Sequence, residues 1–479
     1  MTTNVKFGTS GLRGLVDELS NDICKKYTIG FLNYLIANDV ISNTSTLLVG
    51  LDLRSSSPRI AQAVIEAAKS IGISVINAGV LPTPALALAA QSQKLPAIMV
   101  TGSHIPEDRN GLKFYRPEGE ITKLDELGII NHLPEIVEAS TETANSKVEL
   151  PPVDSTILSA YRDRCLNILP PNALEDLRIG VYQHSSVARD LIVDVLKQLG
   201  ADVVTIERAN HFVPVDTEAL RDIDREIALN ATIQNDLYAL VSTDGDADRP
   251  LIAGSDGVFL KGDVVGLLTA KYLSADAVVT PVTSTSAVET CQLFEHVYRC
   301  SVGSPYVIEA MKQANADGYS SVVGFEANGG VLLGNDLVTD RGVLQKLPTR
   351  DAMLPILCLL GFAELNGNTV QGLSANLPQR FTASNRLQNI DVAKAQHILK
   401  QLEDGATRVH FFHPLGNITH WDVIDGLRVI FDNGDIIHFR LSGNAPELRC
   451  YSEAASQQQA NKLLDWGLGS IQESMEKNG

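Results

Sequence analysis

The chain alternates short apolar runs with longer stretches whose apolar residues recur every three to four positions. Thr46-Leu47-Leu48-Val49 is a run of the first kind and predicts a strand. Ser57-Pro58 predicts a helix start, an N-cap serine followed by proline at the first helical position, and Ile60, Ala63, Val64, Ala67, Ala68 and Ile71 fall on one face of that helix. Gly72 closes it, and residues 74–76 and 97–100 predict further strands. Strands separated by helices imply right-handed βαβ connections and a mainly parallel sheet.

The alternation returns twice. Residues 177–182 predict a strand, 188–199 a helix, 203–206 a strand, and 238–241 a strand running into an acidic loop. From about Asp256 a third stretch predicts a strand at 277–280, a helix at 306–314 and a strand at 321–324 that leads into a glycine-rich loop. The last quarter differs. It predicts a helix at 391–402, strands at 427–431 and 436–441 flanking the turn Asp432-Asn433-Gly434, a strand at 448–451 and a helix at 456–474. That is an α+β module with antiparallel strands.

Pro151-Pro152, after the polar stretch 138–147, marks a boundary. The expected fold class is α/β: three related mixed-sheet α/β domains at 1–152, 153–255 and 256–370, and a C-terminal α+β domain at 371–479. A length of 479 residues agrees with three or four domains at about 150 residues each.

Charge narrows the partners. With 39 Lys and Arg against 57 Asp and Glu the formal charge is −18, and no basic tract interrupts it. Nucleic acid and anionic membranes need a concentrated positive face, so both are excluded as expected partners. No run approaches the ~18 apolar residues of a membrane span, and Met1 to Lys6 lack the charged-then-apolar pattern of a secretion signal. Cys24, Cys165, Cys291, Cys300, Cys358 and Cys450 are scattered without a CxxC pair, as reduced thiols would be. The expectation is a cytoplasmic protein acting on a small molecule. The sequence carries no signal for an oligomeric state.

Four loops carry chemistry. Thr101-Gly102-Ser103-His104-Ile105-Pro106, with Lys113 shortly after, places a serine on a flexible approach beside His and Lys, which suits covalent chemistry on the hydroxyl. Asp244-Gly245-Asp246-Ala247-Asp248-Arg249 offers three carboxylates at alternate positions to one hard cation such as Mg²⁺. Phe325-Glu326-Ala327-Asn328-Gly329-Gly330 can hydrogen-bond vicinal hydroxyls, as a sugar requires. Arg440-Leu441-Ser442-Gly443-Asn444, followed by Arg449, can cradle a phosphate. Each loop alone would also serve as an ordinary turn; their combination points to a phosphorylated sugar.

These motifs resemble those of the α-D-phosphohexomutases, and the resemblance runs the length of the chain. Phe7-Gly8-Thr9-Ser10-Gly11-Leu12-Arg13-Gly14 is similar to the family's amino-terminal signature. Residues 101–106 resemble its phosphoserine loop T-[AG]-S-H-N-P, with Ile105 in place of Asn, and residues 244–249 match its D-G-D-[AG]-D-R metal loop in full. The resemblance implies a four-domain, heart-shaped architecture. It implies that Ser103 is phosphorylated and that Asp244, Asp246 and Asp248 hold Mg²⁺ together with that phosphate. It further implies that His104 and Lys113 lie near the transferring proton, that Arg13 and Arg249 line the site, and that Glu326 and Asn328 read the sugar. Arg440, Ser442, Gly443 and Asn444 correspond to the loop that grips the non-reacting phosphate.

Two loops depart from the usual pattern. Asn328 and Gly330 stand where G-E-x-S-G-H has Ser and His, and Asn444-Ala445 replace the Thr-Glu of R-x-S-G-T-E-P. The F-E-A-N-G-G form, with Val302-Gly303-Ser304-Pro305-Tyr306-Val307, most resembles bacterial phosphomannomutases. The implied reaction interconverts mannose 6-phosphate and mannose 1-phosphate through a hexose 1,6-bisphosphate, which also serves as activator. Phosphoglucomutase or dual specificity is the alternative, and a non-catalytic phosphosugar-binding relative a distant one.

Overall fold

The structure is a computed structural model that describes residues 5–8, 11–135, 149–339, 341–442 and 446–477. Thr9 and Ser10 of the amino-terminal signature, the polar stretch 138–147, and Gly443, Asn444 and Ala445 of the phosphate loop therefore lie outside the described residues. Contacts group the chain into two units, Met1–Val278 with Gly303–Ser374, and Val279–Val302 with Ala375–Gly479.

The first unit opens with a seven-stranded sheet. Ala97–Val100, Thr46–Leu51 and Ser74–Val80 pair in parallel, with Thr46–Leu51 between the other two. Beyond Ala97–Val100 the sheet continues antiparallel through Arg109–Arg116 to Leu12–Leu15. A mainly parallel sheet was expected, and four of the six pairings among the described residues are antiparallel, because the chain returns from the serine loop as a hairpin rather than through a helix. The helix Ser57–Ser70 buries Ile60, Ala63, Val64, Ala67 and Ala68 as its periodicity requires. Its cap position is Ser56 rather than Ser57, whose hydroxyl instead donates to Asp52 Oδ1 at 2.5 Å.

A second sheet runs Pro250–Gly254, Ala239–Thr243, Arg178–His184, Asp202–Arg208, parallel except at the first pair. That exception is a hairpin whose turn is the acidic loop. Farther on, Val322–Phe325, Val331–Leu333 and Leu347–Asp351 form an antiparallel meander around the loop that carries Glu326. Leu347–Asp351 delivers the chain into Met353–Leu365, a helix buried almost all round and rich in Leu, as a helix enclosed by other elements must be.

In the second unit five antiparallel strands follow the order Phe381–Gln388, Glu447–Ala454, Ile436–Leu441, Leu427–Phe431, Ile418–Asp422. Phe439, Ile437, Cys450 and Val429 join Ile398, Phe412, Leu463 and Ile471 of its helices in one core. The antiparallel α+β module is as expected. Among the described residues no helix is long and apolar enough to cross a membrane.

The enclosed helix supplies a test of packing. Leu357 is fully buried and Leu365, eight residues on in the same helix, is 79% exposed. Leu357→Ala is expected to cost about 2–5 kcal/mol, and Leu365→Ala within about 0.5 kcal/mol of nothing, read from the urea transition of the first unit.

Candidate active site

The serine loop begins where Ala97–Val100 ends, and one buried arginine braces it. Arg54 Nη1 donates to the carbonyls of Pro106 and Arg109 at 2.7 and 3.0 Å, and Nη2 to those of Ser103 and Ile105 at 2.9 and 2.5 Å. Arg54 is itself held by Asp52 and lies 3.8 Å from the ring centre of Phe212. Asp52 Oδ2 also accepts from Thr101 Oγ1 at 2.8 Å. Ser103 adopts a left-handed backbone, φ 55°, which costs energy for a residue with a Cβ and persists where surroundings over-determine it. The brace supplies that determination.

The acidic loop meets the serine loop across a gap that only glycine permits, since a Cβ at Gly245 would fall 2.8 Å from the carbonyl oxygen of Ser103. Ser103 Oγ donates to Asp244 Oδ2 at 2.7 Å. Asp244, Asp246 and Asp248 are buried, with carboxylate oxygens within 4.8 Å of one another. Three such charges repel, and cations set among them answer the repulsion, Arg249 Nε lying 3.6 Å from Asp248 Oδ1. Lys113 Nζ donates to Asp246 Oδ2 at 2.6 Å and Asp248 Oδ2 at 2.7 Å, and Arg350 Nη2 donates to Asp248 Oδ2 at 2.8 Å.

Ionisation follows from this arrangement. Burial, reinforced by Asp246 and Asp248, pushes the Asp244 carboxyl well above the usual range. Burial acts the same way on Asp248, but Arg350, Lys113 and Arg249 outweigh it and hold that carboxyl well below the usual range. Burial would lower Lys113, yet Asp246 and Asp248 raise it, so it stays an ammonium. His104 goes the other way. Burial and the neighbouring Arg249 and Arg13 push it down to about 2, and it sits as a neutral ring between Ser103 Oγ, 3.3 Å from Nδ1, and Arg249 Nη1, 3.0 Å from the same nitrogen.

Asp246 Oδ1 and Asp248 Oδ1 are buried without a hydrogen-bond partner. Orphaned carboxylate oxygens are costly inside a protein, and a small hard cation bound through oxygen relieves them. The residues fit a divalent metal.

Arg13 enters the same neighbourhood from Leu12–Leu15, opposite Gly111 on the strand that carries Lys113. Burial and Arg249 lower it to about 10. Glu326 is buried and bonded to Arg350 Nη1 at 2.8 Å. Asn328, also buried, turns Oδ1 inward to accept from Gly330 N at 2.9 Å, and its carbonyl accepts from Thr217 Oγ1 at 2.8 Å. The first unit thus brings together Ser103, His104, Lys113, Arg249, Glu326 and the three aspartates. Arg440 and Ser442 belong to the second unit, where Arg440 Nε donates to Asp425 Oδ2 at 2.7 Å.

Sequence reasoning missed Asp52, Arg54 and Arg350. The run Asp52-Leu53-Arg54-Ser55-Ser56-Ser57 breaks an apolar strand with charge, and Arg350-Asp351 interrupts an otherwise apolar approach to a helix. A charge in such a place needs a partner, which was the available signal.

Three models of the phosphoglucomutase/phosphomannomutase family match the chain: α/β/α domain I over residues 4–140, α/β/α domain III over 261–381 and the C-terminal domain over 387–465. The chain is 44% identical over 477 residues to a phosphomannomutase of Salmonella muenchen, covering 99% of this chain and 97% of that one. It is 41% identical over 474 residues to a phosphomannomutase of Sinorhizobium fredii (strain NBRC 101917 / NGR234), covering 98% and 99%. A solved structure of a phosphoglucomutase/phosphomannomutase family protein from Burkholderia thailandensis superposes with a TM-score of 0.75 over 97% of each chain at 20% identity, a likeness of fold.

Two outcomes test this geometry. Arg54→Ala should keep the fold of the sheet but lower turnover by about 10²-fold, because a serine displaced by about 1 Å loses its alignment. The neutral His104 should produce no ionisation limb in the rate between pH 5 and 8. Its stability contribution is complete above the unfolded value near 6.5 and is lost as pH falls below it, so His104→Gln should flatten the acid side of the stability profile.

Proposed function

The chain belongs to the phosphoglucomutase/phosphomannomutase family, and on that premise we propose that it interconverts mannose 6-phosphate and mannose 1-phosphate through a phosphorylated Ser103. The observation that carries this reading is the serine hydroxyl bonded to one member of a buried aspartate triad whose other members each keep an oxygen without a hydrogen bond. Asp244, Asp246 and Asp248 would hold Mg²⁺ with the Ser103 phosphate. Mg²⁺, when bound, neutralises charge on the phosphoryl oxygens.

The chain's own residues do the rest. The sugar hydroxyl attacks phosphorus, its new P–O bond replaces the bond to Ser103 Oγ, and its proton goes to a base. Of the two candidates, His104 is the neutral one, with Nδ1 3.3 Å from Ser103 Oγ, while Lys113 is a charged bridge between Asp246 and Asp248. The resulting hexose 1,6-bisphosphate turns over and returns its other phosphate to Ser103. The same bisphosphate, added in trace, would recharge an unphosphorylated serine.

Arg249 and Arg13 bring positive charge to the serine loop, and Glu326 and Asn328 would read the sugar. Arg440 and Ser442, with Gly443 and Asn444, are proposed as phosphate ligands. The four sequence segments, each with its own main sheet, are proposed as the four family domains. Six free cysteines suit a reducing, cytoplasmic location.

A coupled mutase assay on mannose 1-phosphate and glucose 1-phosphate, each with Mg²⁺ and a trace of the matching bisphosphate, tests the reading. Turnover on mannose 1-phosphate should be the faster, and Ser103→Ala should lose at least about 10³-fold. Asp246→Ala should abolish the response to Mg²⁺. Equal rates would make the enzyme dual-specific, and undiminished turnover by Ser103→Ala would remove the covalent route.

A further inference from the structure

Arg350 is the direct link between the metal loop and the loop that carries Glu326. It rises from the strand Leu347–Asp351, is 4% exposed, and spans two buried carboxylates. Nη2 and Nε donate to Asp248 Oδ2 at 2.8 and 3.2 Å, and Nη1 donates to Glu326 Oε2 at 2.8 Å. Burial would lower its pKa, but Asp248, Glu326 and Glu120 raise it well above the ordinary guanidinium value, so the link is permanently charged.

The path of its side chain depends on Gly330. A Cβ there would fall 2.6 Å from Arg350 Cδ and 2.7 Å from Cγ. Those are mid-chain atoms. One end of the side chain is fixed in a strand and the other on two carboxylates, so it cannot swing clear. Gly330 and Arg350 are a matched pair, and the glycine that stands in the sugar loop is the space the arginine occupies.

Charge alone could be supplied by an ammonium, as Lys113 does at 2.7 Å from the same Oδ2 while shared with Asp246. What Arg350 adds is geometry. A planar fork with fixed N–H directions sets the distance and the rotation between two carboxylates, which an ammonium on a flexible stem does not.

We infer that Arg350 is a positioning residue for sugar selection: by tying Glu326 Oε2 to the metal loop it fixes the direction in which the rest of that carboxylate faces the substrate. The inference rests on the reading that Glu326 binds sugar hydroxyls. Epimers differ in the direction of one hydroxyl. A carboxylate locked in place can serve one direction well, and its unpaired groups penalise the other; a carboxylate free to rotate accepts both.

The test compares the parent enzyme, Arg350→Lys and Gly330→Ala. Each is assayed for kcat and KM on mannose 1-phosphate and on glucose 1-phosphate with Mg²⁺, and mass spectrometry reads phosphate on Ser103. Arg350→Lys keeps the charge but loses the fork. It should keep its phosphoserine, raise KM for mannose 1-phosphate, and lower the ratio of the two kcat/KM values about tenfold. Gly330→Ala retains the arginine but displaces it, and should move the ratio in the same direction. If Arg350→Lys does not fold, as its melting curve would show, Gly330→Ala alone decides. Parental ratios in the folded variants overturn the inference, as does a parent with no preference between the two sugars. A parent that acts on neither hexose phosphate overturns instead the function on which the inference rests.

Discussion

Three carboxylates cannot share a dry pocket unless something of opposite charge is built in among them. In a low-dielectric interior, like charges a few ångströms apart repel by several kcal/mol. Lys113 and Arg350 answer that repulsion, and they come from strands far apart in sequence, Arg109–Arg116 and Leu347–Asp351. The elements of the first unit must therefore assemble before the centre exists. The cations neutralise Asp246 Oδ2 and Asp248 Oδ2 and leave Oδ1 of each without a hydrogen-bond partner, Asp248 Oδ1 lying 3.6 Å from Arg249 Nε. That division of labour lets the carboxylates be held by the chain itself while oxygens suited to a hard cation stay available.

The serine loop obeys a different constraint. A non-glycine residue in the left-handed region stays there only if its neighbours hold it, and here the holding is polar: Arg54 satisfies four loop carbonyls while Asp52 fixes Arg54, Thr101 and Ser57. The guanidinium is the suitable group because it carries five donors in a rigid plane. Four loop carbonyls are gathered on one side chain, and Ser103 Oγ is brought within 2.7 Å of Asp244 Oδ2. Function in this fold sits on loops, but the precision of those loops comes from the charged residues at the strand ends beneath them.

Chemistry and selectivity are separable in this arrangement. The aspartate loop matches the family pattern in full, and the serine loop departs from it at Ile105. The loop around Glu326 departs from that pattern at Asn328 and Gly330, and in the structure both departures are internal to the loop's own support. Asn328 closes the turn by accepting from Gly330, and Gly330 clears the path of Arg350. A loop read from sequence as a surface for sugar hydroxyls is also a joint between two parts of the first unit.

The sequence by itself determined the elements and the chemistry. Period and punctuation placed the helix at 57–70, the strand at 97–100 and the C-terminal hairpin within a few residues, because local propensity and side-chain alternation are local properties. The metal loop was legible because three aspartates at alternate positions around a glycine already converge. Only the tertiary structure decided that most pairings of the first sheet are antiparallel, since a hairpin and a helical crossover leave similar apolar runs behind them. It alone decided which cations answer the aspartates, which arginine braces Ser103, and why position 330 has no side chain. Those contacts span from 20 residues of chain, Gly330 to Arg350, to 135, Lys113 to Asp248, and a pairing set by packing in space leaves no period in the sequence to read.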